Sequence, residues 1–547
     1  MKRARWLLLA PPLVFLGLVQ VAPLMRLLAE AFAGRDAFGG EPLRWWALWQ
    51  DAHLRWRLLW SFLQASVTGL AAFAIGLPMA WVLARWTFPG RGALLRLLML
   101  PFVVPTLVAA MGVLALWGPR GVLGAPLAAW GIELEDTPWL LLYGNLFFNL
   151  CVVVRAGVEA LERIDATRLA AARSLGATPW RAFWRVEWPA IAPWMAAAVC
   201  LVFLYCFSGF GLALVLGGPR YSTVEVEIYT LVAHELALGP ASVLALWMIG
   251  LTGAVALGYA AIEQRLAAPA RVVPVPRRRP AGAGQWAAVA AVMGGFGILC
   301  AAPLLAIAWR AAHALAAGAA PVLWAPETLQ ALGNTLRFSA AALALAVALG
   351  LAHALAQRWL GAVSARRGGR GRLALGWRAL AYLPLVVSPV MVAFGLLLLY
   401  PDWTASLGLL LVAYALLGYP FVARALTTAL DQLPAHWAQA AATLGATPWR
   451  VFWRVTLPLV QPALRRGAAF AAATALGEFA VTLFLSRPEW ITLTTLIHQR
   501  LGRPGAANLD AAMVLAALLM GLALLAFVLI EGAGASSGQK GDTASHA

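Results

Sequence analysis

The chain has 547 residues, 62% of them from the set AVILMFWYC and 12% charged, with a mean hydropathy of +0.79. A soluble globule carries about 25% charged residues, and a disordered chain combines low hydrophobicity with high charge, so both classes are excluded. Lys+Arg number 41 against 23 Asp+Glu, a net +18, which on so apolar a chain points to cationic loops on one membrane face rather than to nucleic acid. The expected class is an all-α polytopic membrane protein in contact with membrane lipid.

A bilayer core takes about 20 mostly apolar residues per helix. Twelve segments meet that need: 6–32, 58–85, 94–118, 139–161, 191–217, 241–263, 286–312, 332–357, 377–400, 407–430, 460–485 and 511–531. Lys2, Arg3 and Arg5 before the first segment resemble the start of a signal peptide. The uncharged run from Trp6 to Met25 is longer than a signal core, however, and no convincing A-x-A site follows, so a retained helix is expected. With the N-terminus inside, 28 basic residues fall in inner segments and 9 in outer ones. The remaining four, Arg26, Arg155, Arg310 and Arg337, lie within spans. That bias obeys the positive-inside rule and predicts both termini in the cytoplasm.

A repeat organises the chain. Residues 175–189 read LGATPWRAFWRVEWP and residues 444–458 read LGATPWRVFWRVTLP, twelve matches in fifteen at an offset of 269. Weaker echoes flank it, with 76–80 (GLPMA) matching 350–354 (GLAHA) and 100–104 (LPFVV) matching 383–387 (LPLVV). The expected organisation is therefore a first transmembrane domain over 1–267, a Pro- and Arg-rich linker over 268–284 and a second domain over 285–547. Six spans per unit is an even number, so the repeats are parallel and both copies of the motif face the same side.

Each copy reads as helix, turn, helix and then proline. Asp165 is a candidate N-cap, Gly176 a left-handed stop, Thr178 a second N-cap and Pro179 a first-turn proline. Phe183 and Trp184 give the second helix an apolar face, and Pro189 leads into the next span. Gly445, Thr447, Pro448, Phe452, Trp453 and Pro458 repeat the plan. Two matching knobs on one face suggest a two-fold partner with two matching sockets. Helices merely resting on lipid are the plainer alternative.

These residues carry a resemblance. The pattern E-A-A-x-x-x-G followed by L-P marks the cytoplasmic loop of ATP-binding-cassette importer permeases, and the chain is similar to it at Ala170, Ala171 and Gly176 with Pro189, and at Gln439, Ala440 and Gly445 with Pro458. Both departures fall at the glutamate, now Ala170 and Gln439. The resemblance implies that each loop is a coupling helix docking on one subunit of an ATPase homodimer, and that an extracytoplasmic substrate-binding protein delivers cargo. A phosphate-binding loop needs G-x-x-x-x-G-K-[ST], and the chain's lysines are Lys2 and Lys540. ATP and Mg are therefore expected on the partner, with no cofactor or metal in this chain and no enzyme activity of its own. Chains carrying both halves resemble most the thiamine and ferric-iron importers. The stretches 207–211 (FSGFG), 216–220 (LGGPR), 224–229 (VEVEIY) and 476–479 (LGEF) look closer to the thiamine group. A ferric-iron permease is the near alternative and a secondary transporter the alternative of another class.

Pathway candidates are the polar residues within spans, which are costly there and so default to functional hypotheses. Glu478 is the foremost, because its counterpart in the first half is Gly209. A carboxylate facing the pathway would receive a cationic cargo; pairing with Arg337 or a helix-break contact is the structural alternative. Asn145 and Asn149, four apart on one helix face, read either as pathway groups or as interhelical glue. His353 reads as a packed histidine. The four cysteines lie in apolar runs without a CxxC pair, which indicates neither a disulfide framework nor a zinc site.

Overall fold

The computed structural model describes residues 2–33, 46, 49–266, 273–366, 372–404, 406–485 and 487–532. Part of the expected linker (268–272), and Lys540 with the tail from 533, lie outside them. Among the described residues the chain is helical throughout, and its extended pairings are two isolated bridges, Trp86 with Arg278 and Asp165 with Pro274. Nine helices among the described residues are long and apolar enough to cross a membrane: Leu8–Phe32, Ala52–Arg85, Pro138–Glu162, Pro179–Phe207, Leu238–Ile262, Ala283–Ala319, Pro326–Gly361, Leu407–Gln432 and Ala506–Ile530.

The other expected spans are broken, and the sequence says why. Segment 94–118 is a pair of helices, Arg91–Val103 and Thr106–Trp117, bent by 108° at Pro105, whose ring forbids a continuous ladder. Segment 377–400 breaks into Arg372–Leu380, Leu383–Val386 and Pro389–Leu399 around Pro384 and Pro389. Segment 460–485 stops at Leu476 and resumes at Ala480, and segment 191–217 stops at Phe207 and resumes at Gly211. The unbroken crossings expected at 94–118, 377–400 and 460–485 are thus replaced by helices that turn within the apolar region, while Pro179–Phe207 is long enough to cross and only the end of segment 191–217 turns away from it.

A second regularity also follows from proline. Four π-turns are present among the described residues: Gly17–Val21, Phe183–Glu187, Gly297–Ala301 and Phe452–Thr456. Each is followed by one residue and then a proline, namely Pro23, Pro189, Pro303 and Pro458. A proline inside a helix clashes with the carbonyl four residues back. Widening the turn ahead of it to an i→i−5 bond removes that clash and keeps the ladder otherwise intact.

The chain forms two compact units, residues 1–30, 103–105 and 314–547 in one and 31–102 and 106–313 in the other. Each unit therefore takes the opening helix of the other sequence half. In the first of these units, Pro326–Arg366 packs on Leu407–Gln432 and Leu457–Leu476 around Ala354, Val422, Leu426 and Val460. The helix Lys2–Leu16 joins through Leu9, against Ala356 and Trp377. His353 is buried there, with Tyr419 Oη 2.5 Å from its Nδ1 and the Trp377 ring stacked at 4.8 Å. In the other unit, Ala52–Arg85 packs on Pro138–Glu162 and Trp188–Phe207.

Glycines set the closest approaches, and they match between the units. A Cβ on Gly76 would lie 2.9 Å from Val153 Cγ1, and one on Gly350 would lie 2.7 Å from Val422 Cγ1. The pairs 76/350 and 153/422 are repeat equivalents, so the weak GLPMA–GLAHA echo is a real register.

Candidate functional site: two matched loops

The first loop opens with the helix Ala166–Ser174, capped by Asp165, whose Oδ1 accepts from the Thr167 N–H at 3.0 Å. Hydrogen bonds from Thr167, backbone first and then side chain, hold the Asp165 carboxyl below the usual carboxylate range. The helix ends in a Schellman arrangement. The N–H of Gly176 donates to the Arg173 carbonyl and that of Ala177 to the Ala172 carbonyl, both at 3.0 Å. Gly176 has φ +79°, the left-handed conformation that glycine adopts at no steric cost. Thr178 then caps the next helix by accepting from the Arg181 N–H at 3.3 Å, with Pro179 in the first turn.

The second loop repeats this almost atom for atom. Gly445 has φ +82°. Its N–H donates to the Ala442 carbonyl at 3.0 Å, and that of Ala446 donates to the Ala441 carbonyl at 3.1 Å. Thr447 accepts from the Arg450 N–H at 3.3 Å. The rings agree as well: Trp180–Trp184 and Trp449–Trp453 have centroids 5.5 Å apart at 75° and 74°. Phe183–Trp184 and Phe452–Trp453 are both 5.4 Å apart.

Each loop displays an uncovered apolar surface. Leu175 and Leu444 are both 88% exposed, and Trp180 and Trp449 are 70% and 69% exposed. Ala170, Ala171, Gln439 and Ala440 are exposed on the first helices, Phe183 and Phe452 are half-buried, and Pro189 and Pro458 are exposed where the next helices begin. Every loop residue singled out from the sequence is thus brought together within its own copy.

The intramembrane candidates are placed differently. Asn145 and Asn149 are buried, and each reaches a residue of another helix. Asn145 Nδ2 donates to Gln64 Oε1 at 2.7 Å, and Asn149 Nδ2 lies 3.2 Å from Cys206 Sγ. Glu478 sits in the break after Leu476 and is 8% exposed. Its Oε1 accepts from the Val481 N–H at 2.9 Å, while Arg337 is exposed. Of the structural alternatives for Glu478, the helix-break contact is the one present.

Several organising groups were missed in the sequence. Arg57 donates from Nε to Glu227 Oε2 at 3.0 Å and from Nη2 to the Pro219 carbonyl at 2.7 Å. Ser61 Oγ accepts from the Val224 N–H at 2.8 Å, and its repeat equivalent Thr335 accepts from the Leu493 N–H at 2.9 Å. These clamps hold the start of the helices Val224–Ala233 and Leu493–Leu501. Beside the first lies a cleft of about 310 Å³ lined by His53, Trp56, Arg57, Pro219 and Arg220. A buried pair, Arg85 with Glu187 at 2.7 Å, anchors the first loop. Its signal was available, since Glu187 is one of the three mismatches in the fifteen-residue repeat.

Comparison with known proteins agrees with the duplication. Residues 72–268 and 357–533 each match the family described as binding-protein-dependent transport system inner membrane component. The thiamine transport system permease protein ThiP of Escherichia coli is 30% identical over 502 residues, covering 89% of this chain and 90% of its own length. The protein of the same name from Haemophilus influenzae is 27% identical over 525 residues, covering 92% and 93%. The sulfate transport system permease protein CysW of Synechocystis is 32% identical over 250 residues, 45% of this chain but 88% of its own. Nearly a whole relative of that length corresponds to less than half of this chain.

Proposed function

The chain belongs to the family of binding-protein-dependent transport system inner membrane components, and from that premise we propose that it forms the translocation pathway of an ATP-driven importer for thiamine or its phosphates. The observation that carries the reading is the pair of matched loops, each with a left-handed glycine and an exposed Leu and Trp. Full-length similarity to thiamine permeases supports the cargo.

In this reading both loops and both termini face the cytoplasm, in line with the 28 to 9 distribution of basic residues. One copy of an ATPase docks on each loop, and two near-identical knobs suit a homodimer. ATP and Mg reside on that partner. A binding protein on the opposite face hands over the cargo. Thiamine carries a permanent positive charge on its thiazolium ring, and Glu478 is the acid assigned to meet it.

The test is reconstitution in proteoliposomes with the ATPase subunit and a thiamine-binding protein. The expected result is ATP-dependent thiamine accumulation that requires all three components. Accumulation of Fe(III) in place of thiamine would move the chain to the ferric-iron importers. Uptake driven by an ion gradient without ATP would make it a secondary transporter.

A further inference from the structure

The two repeated loops share their caps and rings but not their anchors. In the first copy Glu187 closes the π-turn Phe183–Glu187 and is buried. Its Oε1 accepts from Arg85 Nη2 at 2.7 Å and its Oε2 from Trp81 Nε1 at 3.3 Å. Arg85, the last residue of the helix Ala52–Arg85, is buried as well. Its carbonyl accepts from the Arg278 N–H at 3.1 Å, and the Arg278 carbonyl accepts from the Thr87 N–H at 2.9 Å. The extended segment that carries Arg278 also carries Val273, whose carbonyl accepts from the Ala166 N–H at 2.9 Å, where the loop's first helix begins. Midway, Glu162 Oε1 holds Arg277 at 2.6 Å and Arg91 at 3.2 Å. Both ends of the first loop are therefore tied to the end of one helix, and the ties converge on Arg85.

The second copy keeps one of these ties and changes the others: Asp431, in Glu162's place at the offset of 269, pairs with Arg378 at 3.5 Å on the exposed surface. Thr456 stands where the first has Glu187, at the repeat offset of 269. The register fixed by Gly76–Val153 and Gly350–Val422 places Trp359 where the first half has Arg85. Pro434, which makes no side-chain cap, stands at the N-cap where the first copy has Asp165. A Thr and a Trp form no ion pair. The backbone ties from Val273 and Arg278 come from the segment between the halves and reach the first loop.

We propose that the Arg85–Glu187 pair and the strap 273–278 make the first loop move as one body with the helix Ala52–Arg85, whereas the second loop, with Thr456 in place of Glu187, follows its own helix less tightly. This deepens the reading of the loops as ATPase-docking elements and rests on it. A displacement imposed on the first loop reaches the helix Ala52–Arg85 through Glu187, which is a positioning residue. A charge-assisted bond between two buried groups has one favoured geometry, and so transmits displacement where a neutral contact would slip.

The test uses the full chain in lipid nanodiscs with spin labels at equivalent exposed sites, Ser174→Cys in one sample and Thr443→Cys in another. The label at 174 is expected to be the less mobile, and Arg85→Gln with Glu187→Gln should raise it to the mobility seen at 443. The double change is used because Glu187→Gln alone leaves a buried guanidinium unpaired. In proteoliposomes with the ATPase and a thiamine-binding protein, the double variant should transport at least threefold less thiamine per ATP hydrolysed, while Thr456→Ala keeps the ratio within twofold. A purely structural role would lower the amount of protein without changing that ratio. Equal mobility at 174 and 443 in the unsubstituted chain, or an unchanged ratio in the double variant, overturns the proposal. If no ATPase associates with the chain, the docking reading has failed, and the mobility comparison still decides whether the first loop is anchored.

Discussion

Glu478 accepts a hydrogen bond from the Val481 N–H at 2.9 Å, bridging the break between the helices Leu457–Leu476 and Ala480–Leu485. The carboxylate thus caps the short helix that follows it, while the Glu478 carbonyl accepts from Thr494 Oγ1 at 3.0 Å. Glu478→Gln retains an oxygen for Val481 and removes only the charge. It should insert at the normal level and lower thiamine uptake at least tenfold, read by radiolabelled uptake beside quantified membrane protein. Glu478→Ala removes the cap too, at a cost of about 1 kcal/mol, and should also lower the amount of protein. Normal uptake by the Gln variant would leave the cap as the whole role of this residue.

At Gly176 and Gly445 a side chain meets open space, because no atom beyond the adjoining residues lies within 4 Å of a Cβ built on either. The penalty for substitution is therefore in the backbone alone, about 1–2 kcal/mol for a residue that resists the left-handed region. Gly176→Val and Gly445→Val should each reduce uptake tenfold or more without loss from the membrane. Gly→Asn at the same sites should retain most of it, since Asn tolerates positive φ. Equal uptake by the Val and Asn variants would show that this turn geometry is dispensable.

Trp180 and Trp449 offer the ATPase equivalent apolar anchors. Burying such a ring is worth about 1.5–3 kcal/mol, so Trp180→Ser or Trp449→Ser should weaken ATPase association roughly 10- to 100-fold. The measurement is ATPase retained on immobilised permease across a concentration series. Retention unchanged in the double variant would return these rings to a lipid-resting role.

Packing at the glycine contacts makes a graded prediction. Gly76→Ala forces its methyl to within 2.9 Å of Val153 Cγ1, an overpacking that costs about 1–3 kcal/mol. Val153→Ala in the same chain should recover part of the lost melting temperature in detergent. Gly350→Ala should lose more, and Val422→Ala should recover less, because the backbone nitrogen of Ala423 also lies 3.0 Å from the new methyl.

Local chemistry made the loops legible from the sequence. The left-handed glycines, the threonine caps and the first-turn prolines are rules of one or two turns, and all stand where the residues put them. The breaks at Ser208–Phe210 and Gly477–Phe479 were less legible, since an apolar run looks the same whether the helix inside it continues or turns. The prolines at 105 and 389 did carry that information for the other two breaks. Arg85 and Glu187 lie 102 positions apart, and no periodicity links them. The hint lay instead in the mismatch of an otherwise faithful repeat. For Asn145 and Asn149 the shared face was readable, but their partners Gln64 and Cys206 on other helices were not.

The exchange of opening helices between the two compact units has a consequence for how the chain is made. The helix Leu8–Phe32 leaves the ribosome well before the surface it packs on, which belongs to Pro326–Gly361 and to the segment around Leu383. That surface is translated roughly 300 residues later, which at ribosomal speeds of about 5–20 residues per second is an interval of about 15–60 s. Throughout it Gln20 is without the Leu383 carbonyl to which its amide donates at 2.9 Å in the finished protein, and an unmatched amide in hydrocarbon is unfavourable. The order of synthesis and the order of packing therefore diverge, and the nascent chain depends on its lipid surroundings or on an insertion factor to hold its first helix until the second half arrives.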